Sequence, residues 1–175
     1  MLVLQMTASS NYKIRRVEQS DEPFLWEMLY QALYVREGGE PFPREVLSRP
    51  EVARYVKGWG REHDIGFLAL DSNTNQPIGA VWIRLFSEGD RGFAHVDDET
   101  PELGIAVLPE HRGQGVGTEL LTHMIETARG SYPSLALSVS PENPALRLYQ
   151  RSGFEVVDRQ ETSLVMKRKL KEACA

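Results

Sequence analysis

A single α/β domain built on a mixed sheet is the fold class this sequence predicts, and three observations predict it. Apolar runs of strand length alternate with stretches of helical spacing in the order β, α, α, β, β, β, α, β, α, β, β, which amounts to about seven strands flanked by about four helices. A strand–helix–strand crossover in the middle, expected to be right-handed, makes part of the sheet parallel, while turn-rich links elsewhere make hairpins. Finally, 175 residues with 41% hydrophobic and 26% charged content suit one compact domain with a buried core.

The elements follow in chain order. Met1 to Ser10 is weakly apolar and lacks the basic start of a signal peptide, so residues 1–10 read as a disordered tail and 11–171 as the folded unit. Tyr12 to Val17 forms a first strand. Asp21 precedes Glu22-Pro23, a helix start, and Phe24, Leu25, Met28, Leu29, Ala32 and Leu33 then repeat at helical spacing. A second helical region covers Arg44 to Trp59, with Pro50 breaking it. Ile65–Leu70 and Ile78–Phe86 are strands joined through the turn formers Asp71 to Pro77, and Glu102–Val107 is a third. After a glycine-rich turn, Val116, Leu120, Leu121, Met124, Ile125 and Ala128 share one face of a helix that Gly130 and Pro133 end. Leu135–Val139 is a short strand. Asn143-Pro144 opens a last helix, with Asn as N-cap, and Gly153 closes it. Phe154–Asp158 and Ser163–Lys169 make a closing hairpin.

Composition narrows the function classes. A net charge of −5 argues against a nucleic-acid binder, and the basic cluster Lys167, Arg168, Lys169 and Lys171 reads as a solvated strand end. No apolar run reaches the roughly 18 residues of a membrane span. The sole cysteine, Cys174, has no internal partner, which fits a reducing cytoplasm as the default location. No His, Cys, Asp or Glu cluster has metal-site spacing, so no metal is expected; His63, His111 and His123 read as structural or surface residues.

The run Arg112 to Gly117, R-G-Q-G-V-G, lies between a strand and a helix, where a loop can bind phosphate. Its glycines clear side chains from the backbone. The helix start offers unpaired N–H groups and a partial positive charge. Arg112 adds a permanent cation at the rim. A P-loop is excluded because G-x-x-x-x-G-K-[S/T] is missing, and the G-x-G-x-G spacing, late in the chain, does not suit a dinucleotide fold.

Ile105 to Thr118, I-A-V-L-P-E-H-R-G-Q-G-V-G-T, resembles the acetyl-CoA signature of the GCN5-related N-acetyltransferases, with their R/Q-x-x-G-x-G/A pattern after the fourth strand. Asn143 to Phe154, N-P-A-L-R-L-Y-Q-R-S-G-F, resembles that family's second motif. The resemblance implies a GNAT-type fold and transfer of an acetyl group from acetyl-CoA to a primary amine by direct attack in a ternary complex. It also implies that backbone amides of Arg112, Gly113, Gln114, Gly115, Val116 and Gly117, with help from Thr118, hold the pyrophosphate. In the family the fourth and fifth strands splay, so Ile105, Ala106 and Val107 would pair with the pantetheine arm, and an amide such as that of Val107 would meet the thioester oxygen. Asn143 would contact the same arm while also capping its helix. Tyr149 would give a proton to the departing thiolate; the alternative is packing beside Leu148 and Phe154.

An alkyl ammonium with a pKa near 10.4 must lose a proton before it attacks. Glu102 is the first candidate to polarise a water for that purpose, against a solvated strand-end charge; His95 and Glu99 are weaker candidates. The segment Glu88 to Glu102 carries Glu88, Asp90, Asp97, Asp98, Glu99 and Glu102 against Arg91, either an ordinary acidic loop or a field favouring a cationic amine. Trp26, Tyr30 and Tyr34, four residues apart on the first helix, are either core or an acceptor-binding stripe. The acceptor itself stays open: a small cationic amine, a protein or peptide N-terminus, or a lysine. A non-catalytic acyl-CoA sensor is the remaining alternative. Many members of the family pair as homodimers, and nothing in this sequence marks such an interface.

Overall fold

Residues 11–87 and 89–170 are described by the computed structural model of the chain. The strands are β1 (Tyr12–Arg16), β2 (Ile65–Asp71), β3 (Pro77–Arg84), β4 (Glu102–Val107), β5 (Ser134–Val139), β6 (Glu155–Arg159) and β7 (Leu164–Lys169). They form one sheet in the order β1-β2-β3-β4-β5-β7-β6. The helices are α1 (Glu22–Ala32), α2 (Pro50–Ala53), α3 (Val116–Ala128) and α4 (Ala145–Arg151). The element order is therefore the one the sequence predicts.

Alternation along the strands sorts two cores, one on each face of the sheet. Leu68, Leu70, Ala80, Trp82 and Ala106 point to the side covered by α1 and α2, against Leu25, Met28, Leu29 and Val52. Phe67, Ala69, Val81, Ile83 and Leu103 point the other way, to Leu120, Leu121 and Met124 of α3 and Tyr149 of α4.

The middle of the sheet is where its pairing fails. β4 and β5, the one parallel pair, match only at Glu102 and Ala136, where the Ala136 amide donates to the Pro101 carbonyl at 3.0 Å. Beyond that rung the two strands part. β4 keeps β3 as its antiparallel partner along its whole length, from Glu102 opposite Arg84 to Val107 opposite Gly79. β5 likewise keeps β7. The facing edges of β4 and β5 are therefore left open.

The helix ends differ from the sequence expectation in instructive ways. α1 stops at Ala32, because Leu33 turns to extended backbone at φ −72° and ψ 107°; Tyr34 lies beyond it and does not continue the Trp26–Tyr30 stripe. The second helical region splits into a 3-10 turn over Arg44–Ser48 and the four-residue α2, which Pro50 begins. α4 starts at Ala145, one residue later than Asn143-Pro144 suggests for a first helical proline. Asn143 still caps it, its Oδ1 accepting the Ala145 amide at 2.9 Å. At the far end the Phe154 amide donates to the Tyr149 carbonyl at 3.0 Å and the Gly153 amide to Gln150 at 3.1 Å, a Schellman closure. Gly153 takes φ +87° there, and a Cβ on it would run into the Arg168 guanidinium.

A buried ion pair fixes the connection from α2 into β2. Arg84, fully buried on β3, donates from Nε and Nη2 to Asp64 at 2.9 and 2.7 Å, and from Nη1 to the carbonyls of Arg54 and Lys57 at 2.8 Å. Asp64 also accepts the amides of Gly60 and Arg61 at 3.0 Å. Removing one partner leaves the other charged and dry. Asp64→Ala is expected to cost about 3–5 kcal/mol in urea unfolding, whereas loss of an exposed partner such as Asp90 from its pair with Arg61 should cost under about 1 kcal/mol.

Candidate active site

A cleft of about 1000 Å³ runs along the open edge of β4. Ala106, from the α1 face of the sheet, lines it together with Ile105 and Val107, from the α3 face. Residues of both faces can meet one cleft only where it passes the strand's free edge. The cleft thus has a wall on each side of the sheet: the turn into α3, with α4, on one side, and the end of α1, with the segment after it, on the other.

The α3 wall is built to face an anion. The first helical bond of α3 runs from the Glu119 amide to the Gly115 carbonyl at 3.1 Å. The amides of Val116, Gly117 and Thr118 precede it and have no carbonyl to meet within the helix. Gly113 and Gly115 take φ +76° and +83°, and a Cβ on either would meet no protein atom within 4 Å. The left-handed backbone, and not crowding by the protein, is what asks for glycine there. Gly113, Gly115, Val116, Gly117, Thr118 and Arg112 line the cleft; the exposed Gln114 is not among its lining residues.

Arg112 does not hang free at the rim. Its Nε donates to the Val107 carbonyl at 2.9 Å and its Nη2 to Gln31 Oε1 at 3.3 Å. Gln31 in turn donates to Glu27 at 3.0 Å, and Arg44 holds the other side of Glu27. A polar chain therefore links α1 to the end of β4 and to the anion-facing turn. Sequence reasoning missed Gln31; its position four residues after Glu27 on a helix was the available signal.

Asn143 and Tyr149 line the cleft from α4. Tyr149 is 8% exposed, and burial pushes its phenol up to about 12. Its ring meets Phe154 edge-on at 6.2 Å, the apolar contact that accompanies the Schellman closure. Packing leaves the hydroxyl unclaimed: among the described residues no group accepts the Tyr149 proton, and the residue lines the cleft.

Glu102 is neither a solvated strand end nor part of the cleft lining. It is 1% exposed, and its carboxylate accepts the Tyr55 hydroxyl at 2.7 Å and the amides of Gly92 and Ala94 at 3.0 and 2.8 Å. Burial lifts its carboxyl above the usual range, and these three donors offset only part of that. Tyr55 also accepts the Phe93 amide at 2.6 Å and stacks on Phe93 at 6.0 Å. Glu102 and Tyr55 thereby pin the β3–β4 loop to the sheet at the rung where β4 and β5 part. The other acids of that loop are engaged away from the cleft: Asp90 with Arg61 at 3.3 Å, Asp97 with Lys167 at 3.8 Å, Asp98 with His95 at 3.4 Å. Glu88 lies outside the described residues, and Glu99 is not in the lining.

Of the aromatic stripe, Tyr30 and Tyr34 line the cleft, whereas Trp26 packs on the α1-side core. Leu33, Val35, Pro41 and Phe42, from the irregular stretch after α1, complete that wall and were not anticipated. Among the described residues no group of His, Cys, Asp and Glu is placed to hold a metal, and no helix is long and apolar enough to cross a membrane.

This is the architecture of an acyl-CoA N-acyltransferase fold, and the comparisons with known proteins agree. The model of the Acetyltransferase (GNAT) family matches residues 23–154, so the chain belongs to that family. An uncharacterized N-acetyltransferase of Methanocaldococcus jannaschii is 29% identical over 152 residues, 82% of this chain and 61% of that protein. The chain thus spans less than two thirds of that curated relative. Among solved structures, YncA of Salmonella typhimurium with its cofactor acetyl-CoA superposes with a TM-score of 0.65 at 21% identity, covering 95% of this chain and 98% of that one. The PaiA N-acetyltransferase of Thermoplasma acidophilum in complex with coenzyme A superposes at 0.61 and 18% identity, over 90% and 98% of the two chains.

The Glu102 anchor can be tested apart from catalysis. Glu102→Ala orphans a hydroxyl and two amides and is expected to cost about 3 kcal/mol in urea unfolding. Glu102→Gln, which keeps the volume and one acceptor oxygen, should recover part of that loss.

Proposed function

We propose that this chain is an acetyl-CoA-dependent N-acetyltransferase that acts on a primary amine by direct attack in a ternary complex. The observation that carries the reading is the cleft at the open edge of β4, with an anion-facing helix start on one face of the sheet and an aromatic wall on the other. Donor and acceptor can then approach the same strand edge from opposite faces. We also propose the cytoplasm as its location, on the grounds that Cys174 is the sole cysteine.

The residues present fit the cofactor. The free amides of Val116, Gly117 and Thr118, the cleared backbone at Gly113 and Gly115, and the Arg112 side chain suit a pyrophosphate; the Gln114 amide belongs to the same assignment, whereas the Arg112 amide already donates to the Pro109 carbonyl at 3.3 Å. The open edge at Ile105, Ala106 and Val107 suits an amide-bearing pantetheine arm, with Asn143 beside it. When bound, acetyl-CoA supplies an acetyl thioester whose C–S bond breaks as a C–N bond to the amine forms.

Tyr149, which lines the cleft and holds a proton at its hydroxyl, is assigned as general acid toward the departing sulfur. With its phenol raised to about 12, it keeps that proton throughout the neutral range. Glu102 acts at one remove: its three internal bonds occupy the carboxylate that would otherwise polarise a water, so it positions the start of β4, and solvent in the cleft takes the amine proton.

Isothermal titration with acetyl-CoA tests the cofactor reading; micromolar binding is expected, and no binding would sink it. Tyr149→Phe is expected to lower kcat by about 10² or more while acetyl-CoA affinity stays within about twofold, because the hydroxyl acts in the transition state and not in cofactor binding. In the unmodified protein the acid requirement should impose no fall in rate between pH 7 and 10, since Tyr149 loses its proton only near 12. A decline in that window that vanishes in Tyr149→Phe would contradict the assignment.

A further inference from the structure

Resting on that reading, we propose that the acceptor is a primary amine borne on an apolar, otherwise uncharged body, and that the cleft discriminates against polyamines and other polycations. The wall opposite the anion-facing turn is formed by Tyr30, Leu33, Tyr34, Val35, Pro41 and Phe42. These side chains bury apolar surface and offer no negative charge. Among the described residues no Asp or Glu lines the cleft; its charged or titratable lining groups are Arg112, Arg151 and His111.

The two features that would suit a polycation are both spent elsewhere. Asp90, Asp97 and Asp98 of the β3–β4 loop lie against Arg61, Lys167 and His95, Glu102 is buried, and the exposed Glu99 is not among the cleft's lining residues. Glu27, the carboxylate on α1 nearest this wall in the chain, is held by Gln31 and Arg44. One face of the Tyr30 ring is already taken by the Arg44 guanidinium, 3.9 Å from the centroid, which sets a cation of the protein's own against this wall. Its hydroxyl is likewise committed, donating to the Phe42 carbonyl at 2.7 Å. A second ammonium on the acceptor would therefore be desolvated without a counter-charge, whereas a phenyl or alkyl body would gain contact along the whole wall.

Phe42 is the adjustable position. It is 43% exposed, so changing its side chain disturbs little packing, and it lines the cleft.

The test measures CoA-thiol release with 2-phenylethylamine and with spermidine, using the full chain at saturating acetyl-CoA. The aromatic amine is expected to exceed spermidine by at least about tenfold in kcat/KM, the discrimination that one unpaired charge supplies. Phe42→Asp is expected to raise KM for 2-phenylethylamine several-fold with kcat little changed, and to improve spermidine by about tenfold. Spermidine turnover equal to or better than that of the aromatic amine in the unmodified protein would overturn the inference. So would acetyl-CoA binding without turnover of either amine, which would leave the cofactor reading standing. Absence of acetyl-CoA binding would instead remove the reading on which the inference rests.

Discussion

A strand edge that loses its partner inside a sheet must have its amides and carbonyls answered by something else, and the rest of this molecule is arranged around that condition. β4 shares one rung with β5 and then runs alone on that side to Val107. Each backbone group left dry would cost about 1–3 kcal/mol. The parting is tolerable because neither strand depends on the other for its place. β3 holds β4 and β7 holds β5, each in unbroken or nearly unbroken antiparallel register, and helices cover both faces. The open groups look into a cleft where water or an amide-bearing ligand can satisfy them, so the same gap is both a stability problem and a binding surface.

The short helix α4 shows how local chemistry fixes a side chain at that gap. Seven residues form too little helix to persist on propensity alone. Asn143 closes its start and Gly153 closes its end, and the Tyr149–Phe154 contact clamps the last turn to the core. The tyrosine is thus held through its carbonyl and its ring edge, and its hydroxyl is left unclaimed by protein. The motif asparagine, tyrosine, glycine and phenylalanine act as one mechanical unit, which explains their fixed spacing without appeal to ligand contact alone.

How much of this was legible follows from sequence separation. β4 has the bounds the sequence suggests, because E-L-G-I-A-V carries its own strand pattern and the R-G-Q-G-V-G turn marks its exit. The α3 stripe was equally plain, since each member repeats within a turn or two of the next. What escaped was decided by partners far along the chain. In sequence Glu102 reads as a water-polarising carboxylate or a solvated strand end, until Tyr55, 47 residues earlier, and the loop amides close on it. Asp64 and Arg84 give no sign of being a buried pair when read 20 residues apart. Tyr34 looked helical because aromatic spacing alone cannot reveal that the helix stops at Ala32. The part of the wall from Val35 to Phe42 shows no periodicity, so nothing in the sequence assigns its face.

Charge shows the same limit in sharper form. The chain carries a net −5, which on its own suggests an attraction for cations. Yet a field is set by where charges lie relative to low-dielectric walls, not by their sum. Here Asp90 and Asp97 of the β3–β4 loop pair with Arg61 and Lys167 and Glu102 is buried with donors, all outside the cleft lining, while the positive end of α3 and Arg112 face the cleft. On the proposed reading, such an interior would favour the phosphates of a cofactor. With those phosphates balancing the cationic end, recognition at the aromatic end would rest on shape and apolar area, since no Asp or Glu is among the lining residues there.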